Sequence, residues 1–125
     1  MAKITECSII IKDDFNNVFI VQRKTKKNEP KLWYIIARKL RGKETAEKCI
    51  SRAIKEDLKS IVFNLEQLSE ELNEELVSLL YKGEIKERIT YGNDIVEGRW
   101  ISLDEVDQYE FAPGEREKLL IYYDK

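Results

Sequence analysis

The sequence predicts a mixed α+β fold, an α/β-class sheet flanked by helices. Three observations carry that expectation. Short runs rich in β-branched and aromatic residues, Ile9-Ile10-Ile11, Val18-Phe19-Ile20-Val21 and Leu32-Trp33-Tyr34-Ile35-Ile36, suit buried strands. Ala46, Cys49, Ile50, Ala53, Ile54 and Leu58 recur at helical spacing and make one apolar face. Strands and helices alternate irregularly, with hairpin signals at the start, which favours a mixed sheet over a bundle or a sandwich.

Taken in order, residues 4–12 read as a first strand. Asp13-Asp14 and Asn16-Asn17 supply turn chemistry, and residues 18–21 follow as a second strand paired with the first as a hairpin. A polar loop containing Pro30 leads into a third strand at 32–36, and a short basic loop with Gly42 comes next. Thr45 is placed to cap the helix that ends at Leu58. Residues 61–63 look extended. The stretch 66–80 is ambiguous: Leu65, Leu68, Leu72, Leu76 and Leu79 suit a helix, and Asn64 with Gln67 matches a capping box. The reading favoured here is a short helical or irregular acidic segment followed by a strand within 76–85. Residues 99–101 make a further strand, Ser102 with Glu105 a capping box for a short helix, and Pro113 the first turn of a last helix carrying Leu119, Leu120 and Tyr123.

At 125 residues the chain is sized for one domain, 1–125, with a core that needs no disulfide or metal staple. No apolar run reaches the roughly 20 residues of a membrane-spanning helix, and no signal-peptide pattern opens the chain. The absence of histidine excludes histidine catalysis and histidine ligation, so any metal must sit on carboxylates and carbonyls, the donors of hard cations. Cys7 and Cys49 fall in apolar patterns and are expected as reduced core residues of a cytoplasmic protein. The formal net charge is only −2, yet its layout is lopsided. Between Arg23 and Lys43 there are nine basic residues and one acid, Glu29, whereas 66–75 holds five glutamates and no base. The first reads as a phosphate-handling surface, while the near-neutral total argues against a nucleic-acid polymer as partner.

The nucleophile elbow, the P-loop and the dinucleotide-fold glycine pattern are absent. What remains is a strand, a loop with Glu44, and a helix bearing Arg52, Glu56 and Asp57. In that arrangement the chain resembles the Nudix hydrolases, including the MutT-like members, whose box is G-x5-E-x7-R-E-U-x-E-E-x-G-U with U a bulky aliphatic residue. Laid on residues 38–60, the box matches at Glu44, Arg52, Ile54 and Glu56, and Asp57 stands for its last glutamate. Glu97-Gly98-Arg99-Trp100 is similar to the family's late E-x-x-W, and Phe111-Ala112-Pro113-Gly114 to the approach to its final helix. The box is degenerate. Arg38 and Lys59 replace its glycines, Ala37 replaces the glycine before it, and Ala53 replaces the glutamate after the arginine.

The resemblance implies a mixed sheet sandwiched between helices and a divalent-metal-dependent hydrolase, using Mg²⁺ or Mn²⁺, that cleaves the pyrophosphate bond of a nucleoside diphosphate derivative. It implies Glu56, Asp57 and Glu97 as catalytic and metal-binding residues and Glu44–Arg52 as a structural ion pair. Arg23, Arg38, Lys39 and Arg41 are expected to meet phosphates. Dimers are common in the family, so a homodimer is an open possibility. Because Ala53 leaves the carboxylate cluster one charge poorer, weakened activity is expected. The alternative is a non-catalytic Nudix-like module that binds a nucleotide or a protein.

Overall fold

The computed structural model describes residues 3–73 and 76–124. Glu74 and Glu75 of the acidic run lie outside the described residues. Seven strands, β1 (Lys3–Lys12), β2 (Val18–Arg23), β3 (Trp33–Tyr34), β4 (Ile36–Lys39), β5 (Phe63–Asn73), β6 (Leu76–Glu84) and β7 (Ile95–Ile101), form one mixed sheet. Two α-helices accompany it, α1 (Ala46–Leu58) and α2 (Glu115–Tyr123), with a 3-10 segment at Leu103–Gln108.

β1 runs through the middle, parallel to β6 and antiparallel to β4. Both of its faces are covered, which is why Ile9, Ile10 and Ile11 are all buried instead of alternating with polar residues. Cys7, Ile9 and Ile11 join Phe19 and Val21 of β2 in a layer with α1, whereas Ile10, Val18 and Ile20 point into the opposite layer with Leu119 and Tyr122 of α2. The two cysteines are free and buried.

The turn after β1 forms as its residues predict. Asp13 Oδ1 accepts from the Phe15 and Asn17 amides at 2.9 and 2.8 Å, and Asn16 takes the left-handed conformation at φ 63°. The expected β1–β2 hairpin is limited to one pair, Lys12 with Val18. Beyond it β2 leaves β1 and pairs with β7 on one edge and β3 on the other. The single strand expected at 32–36 is two: β3 stays with β2, and β4 crosses to pair with β1.

The stretch 66–80 corrects the first half of the sequence reading and bears out the second. Its described first part is strand β5, not a helical or irregular segment, and the strand expected after it is β6; the two pair antiparallel with two register shifts. The leucine spacing misled because Leu65 and Leu68, which would share a helix face, pack on opposite faces of the sheet. Asn64 does not cap: it sits at φ 55° and its side-chain amide donates to Glu84 at 2.7 Å. The pairing of β6 with β1 along nine registered positions decides the conformation, and that is a tertiary effect.

α1 is the element the sequence describes best. The Thr45 hydroxyl accepts from the Lys48 amide at 3.2 Å, and the apolar face packs on β1 and β4. Its C-terminus closes on Lys59 at φ 51°, where the box has glycine. Two otherwise orphaned carbonyls are satisfied by the loop before β7: Gly92 N–H donates to Asp57 O at 2.7 Å and Thr90 N–H to Leu58 O at 2.9 Å. That loop therefore rides on the end of the helix.

Candidate active site

Asp57 lies on the buried face of α1, its side chain 3% exposed, and a carboxylate buried so deeply needs partners. Two arginines supply them. Arg38 of β4 donates from Nη2 to Asp57 Oδ1 at 2.5 Å, and Arg23, the last residue of β2, from Nη2 to Asp57 Oδ2 at 3.2 Å. Each arginine reaches one acid more: Arg38 Nε lies 3.4 Å from Glu56 Oε1, and Arg23 Nη1 donates to Asp94 Oδ2 at 2.7 Å. Arg38 Nη1 also donates to the Ala37 carbonyl at 3.0 Å. Burial opposes the charge on Arg38, but its bonds to Asp57 and then Glu56 outweigh that and raise its pKa.

A second cluster ties the loop to the helix. Arg52 holds Glu44 through two bonds of 2.9 Å and donates to Lys39 O at 3.0 Å. The Arg52 guanidinium, helped by the Arg41 amide, depresses the Glu44 pKa to about 2. Arg52 Nη1 also lies 3.4 Å from Glu56 Oε1, so both clusters touch Glu56, which keeps 43% of its side chain exposed.

Glu97 does not join Glu56 and Asp57. In the β2–β7 register it opposes Gln22, and Arg99 opposes Ile20, which points into the α2 layer. Glu97 pairs with Arg99 at 2.9 Å, whose guanidinium lies over the Trp33 ring on that side. The acid that reaches the cluster is Asp94, three residues earlier. A register shift between Gln22 and Arg23 sets Ile95 opposite Arg23 and brings Asp94 alongside, where its carbonyl also accepts from the Lys24 amide at 2.9 Å. Sequence reasoning missed Asp94 because a β-bulge leaves no mark in residue spacing; its one signal was the Asn93-Asp94 turn itself, closed by Ile95 N–H to Gly92 O at 3.3 Å. Lys39 and Arg41 have exposed side chains and meet the Glu44–Arg52 cluster through their backbones, Lys39 O accepting from Arg52 and Arg41 N–H donating to Glu44.

Next to the cluster is a cleft of about 390 Å³ lined by Gln22, Arg23, Lys24, Lys31, Val96 and Glu97. Arg23 belongs to both.

The NUDIX domain model matches residues 4–121. The chain belongs to the NUDIX family. Solved structures agree on the fold. A MutT structure from work on Aliivibrio salmonicida and Vibrio cholerae superposes with a TM-score of 0.77 at 15% identity, covering 94% of this chain and 98% of that one. A NUDIX hydrolase from Nitrosomonas europaea gives 0.78 at 13%, covering 99% and 90%. The NUDIX domain of Shewanella oneidensis NrtR, crystallised with ADP-ribose, gives 0.74 at 18%, covering 99% and 88%. No curated protein matches at the sequence level. Family membership supports the expectation of a Nudix pyrophosphohydrolase.

Nudix hydrolases generally need divalent metals, but the residues here, as arranged, do not fit one. A hard cation takes six or more oxygens, among them one or more carboxylates free to face it. Asp57 has both oxygens on arginines, Glu56 Oε1 faces two, Asp94 is held by Arg23, and Ala53, 1% exposed in the core, offers none. Among the described residues no three His, Cys, Asp or Glu side chains are grouped to hold an ion. The positions expected to hold Mg²⁺ or Mn²⁺ are faced by guanidinium groups instead.

Proposed function

We propose that this chain is a Nudix pyrophosphohydrolase that acts slowly on a nucleoside diphosphate derivative, with arginines neutralising the diphosphate. One observation carries the reading: Arg23, which shares Asp57 with Arg38, also lines a basic cleft. Hydrolysis of a diphosphate needs its phosphoryl charge neutralised and a water positioned in line. Guanidinium forks match phosphate oxygens in pairs, so a diphosphate entering past Lys24 and Lys31 exchanges for carboxylate oxygens on Arg23 and Arg38. Lys39 and Arg41 extend the attraction from outside. Glu56, the most exposed carboxylate of the α1 pair, serves as general base. Water adds to one phosphorus, its proton passes to Glu56, and the bridging oxygen leaves with the electron pair. The cleft volume falls within the range of small-molecule sites. The ADP-ribose held by the Shewanella domain belongs to the proposed ligand class.

The ligand is on this reading a small molecule and not a nucleic-acid polymer, and the whole chain acts as one domain. No described helix is long and apolar enough to cross a membrane. The two free thiols support a reducing, cytoplasmic setting.

A second reading, a module that binds the same ligands without cleaving them, is favoured by Ala53 and by the arginine-held carboxylates. Turnover assays across nucleoside diphosphate derivatives separate the two. For the hydrolase, Glu56→Gln should lower product release at least about tenfold, a loss of roughly 1.4 kcal/mol in transition-state stabilisation, and retain ligand binding. Saturable binding with no turnover by the wild type would establish the module instead.

A further inference from the structure

We propose that the Arg38 guanidinium is the resident cation of this site, standing where a divalent ion would otherwise bind, and that removing it opens a divalent-cation site. The inference rests on the site assigned above but not on its substrate.

One guanidinium gathers three oxygens from two elements: Ala37 O at 3.0 Å on β4, and Glu56 Oε1 at 3.4 Å and Asp57 Oδ1 at 2.5 Å on α1. A backbone carbonyl with two carboxylates, completed by water, is the donor set that hard cations select. The backbone that carries it is also anchored. Arg38 is registered against Cys7 across the β1–β4 ladder, and its carbonyl accepts from the Cys49 and Cys7 thiols at 3.6 and 3.8 Å. A rotamer swing that clears the oxygens would leave Asp57, 3% exposed, with only its longer bond to Arg23.

Charge points the same way. Arg23 and Arg38 face Glu56, Asp57 and Asp94, so the group carries one net negative charge. Without Arg38 it carries two, the complement of a divalent ion. Ala53 fits the same exchange: a cluster lacking one carboxylate is balanced by a singly charged guanidinium in place of a doubly charged metal. A ligand's diphosphate then meets a positive group already in position, with no ion to recruit.

The test is calorimetric titration with Mn²⁺ alone, without nucleotide, on the wild type, Arg38→Gly, Arg38→Gln and Arg38→Lys, each checked for a cooperative thermal transition. The wild type and Arg38→Lys should show no saturable binding in the range where Arg38→Gly and Arg38→Gln bind one ion. The gain should be at least about tenfold in affinity. Adding Glu56→Gln to Arg38→Gln should remove it. A wild type that binds Mn²⁺ as tightly as the variants, or folded variants that gain nothing, would overturn the proposal. Should Arg38→Gly fail to fold, Arg38→Gln carries the comparison, and saturable wild-type binding abolished by Glu56→Gln is decisive by itself. Failure to bind any nucleotide would count against the proposed ligand and leave the Mn²⁺ result standing.

Discussion

Glu44 and Arg52 show what a matched pair achieves at the scale of one residue. Two parallel bonds of 2.9 Å, with Arg52 also gripping Lys39 O, pin the basic loop to the helix that follows it. The Glu44 pKa is about 2 when folded, below the roughly 4.3 of a free glutamate. Its contribution to stability is thus complete above pH ~4.3 and is lost as pH falls toward 2. Glu44→Gln should lower the melting temperature at neutral pH and flatten its fall across that acidic window. Melting curves at a series of pH values read both effects. This pair was legible in the sequence because both partners sit in one contiguous motif. The partnership of Arg23 with Asp94 was not, being separated by 71 positions and set by a register shift. Why Glu97 lies apart from Glu56 and Asp57 was hidden in the same way: a strand residue's face depends on its pairing, and one shifted position reverses it.

At the scale of elements, the site depends on how α1, β2, β4 and the loop before β7 abut. Gly92 is the tightest joint. A Cβ there would fall 2.1 Å from the Glu56 carbonyl oxygen, and its amide holds the Asp57 carbonyl at 2.7 Å. Gly92→Ala should therefore push the loop off the helix, carrying Asp94 away from Arg23. We expect a loss of about 1–3 kcal/mol in denaturant unfolding, with weakened nucleotide binding alongside it. α1 itself could be read from the sequence to within a residue, since its cap and its apolar face are local signals. The strand at β6 was expected as well, but β5 and its pairing with β6 could not be read. Its leucines satisfy a helical period, and only the presence of β1 as a parallel neighbour makes extended backbone the better choice.

Across the whole molecule, one sheet separates two apolar layers. α1 brings its carboxylates to the arginines of β2 and β4, and Arg23 joins that cluster to the basic cleft. The lopsided charge seen in the sequence thereby acquires a place: Arg23 and Arg38 are held by acids, and Lys24 and Lys31 line the cleft. The central claim, that this arrangement binds a nucleoside diphosphate derivative through its arginines, is tested most directly by titrating ADP into the protein in the presence of a chelator. Wild type and Arg23→Gln are compared by calorimetry. Saturable binding by the wild type, weakened at least about tenfold in Arg23→Gln, is the predicted result, corresponding to roughly 1.4 kcal/mol. Wild-type protein that fails to bind ADP with or without added Mn²⁺, or an Arg23→Gln variant that binds it equally well, would contradict the account.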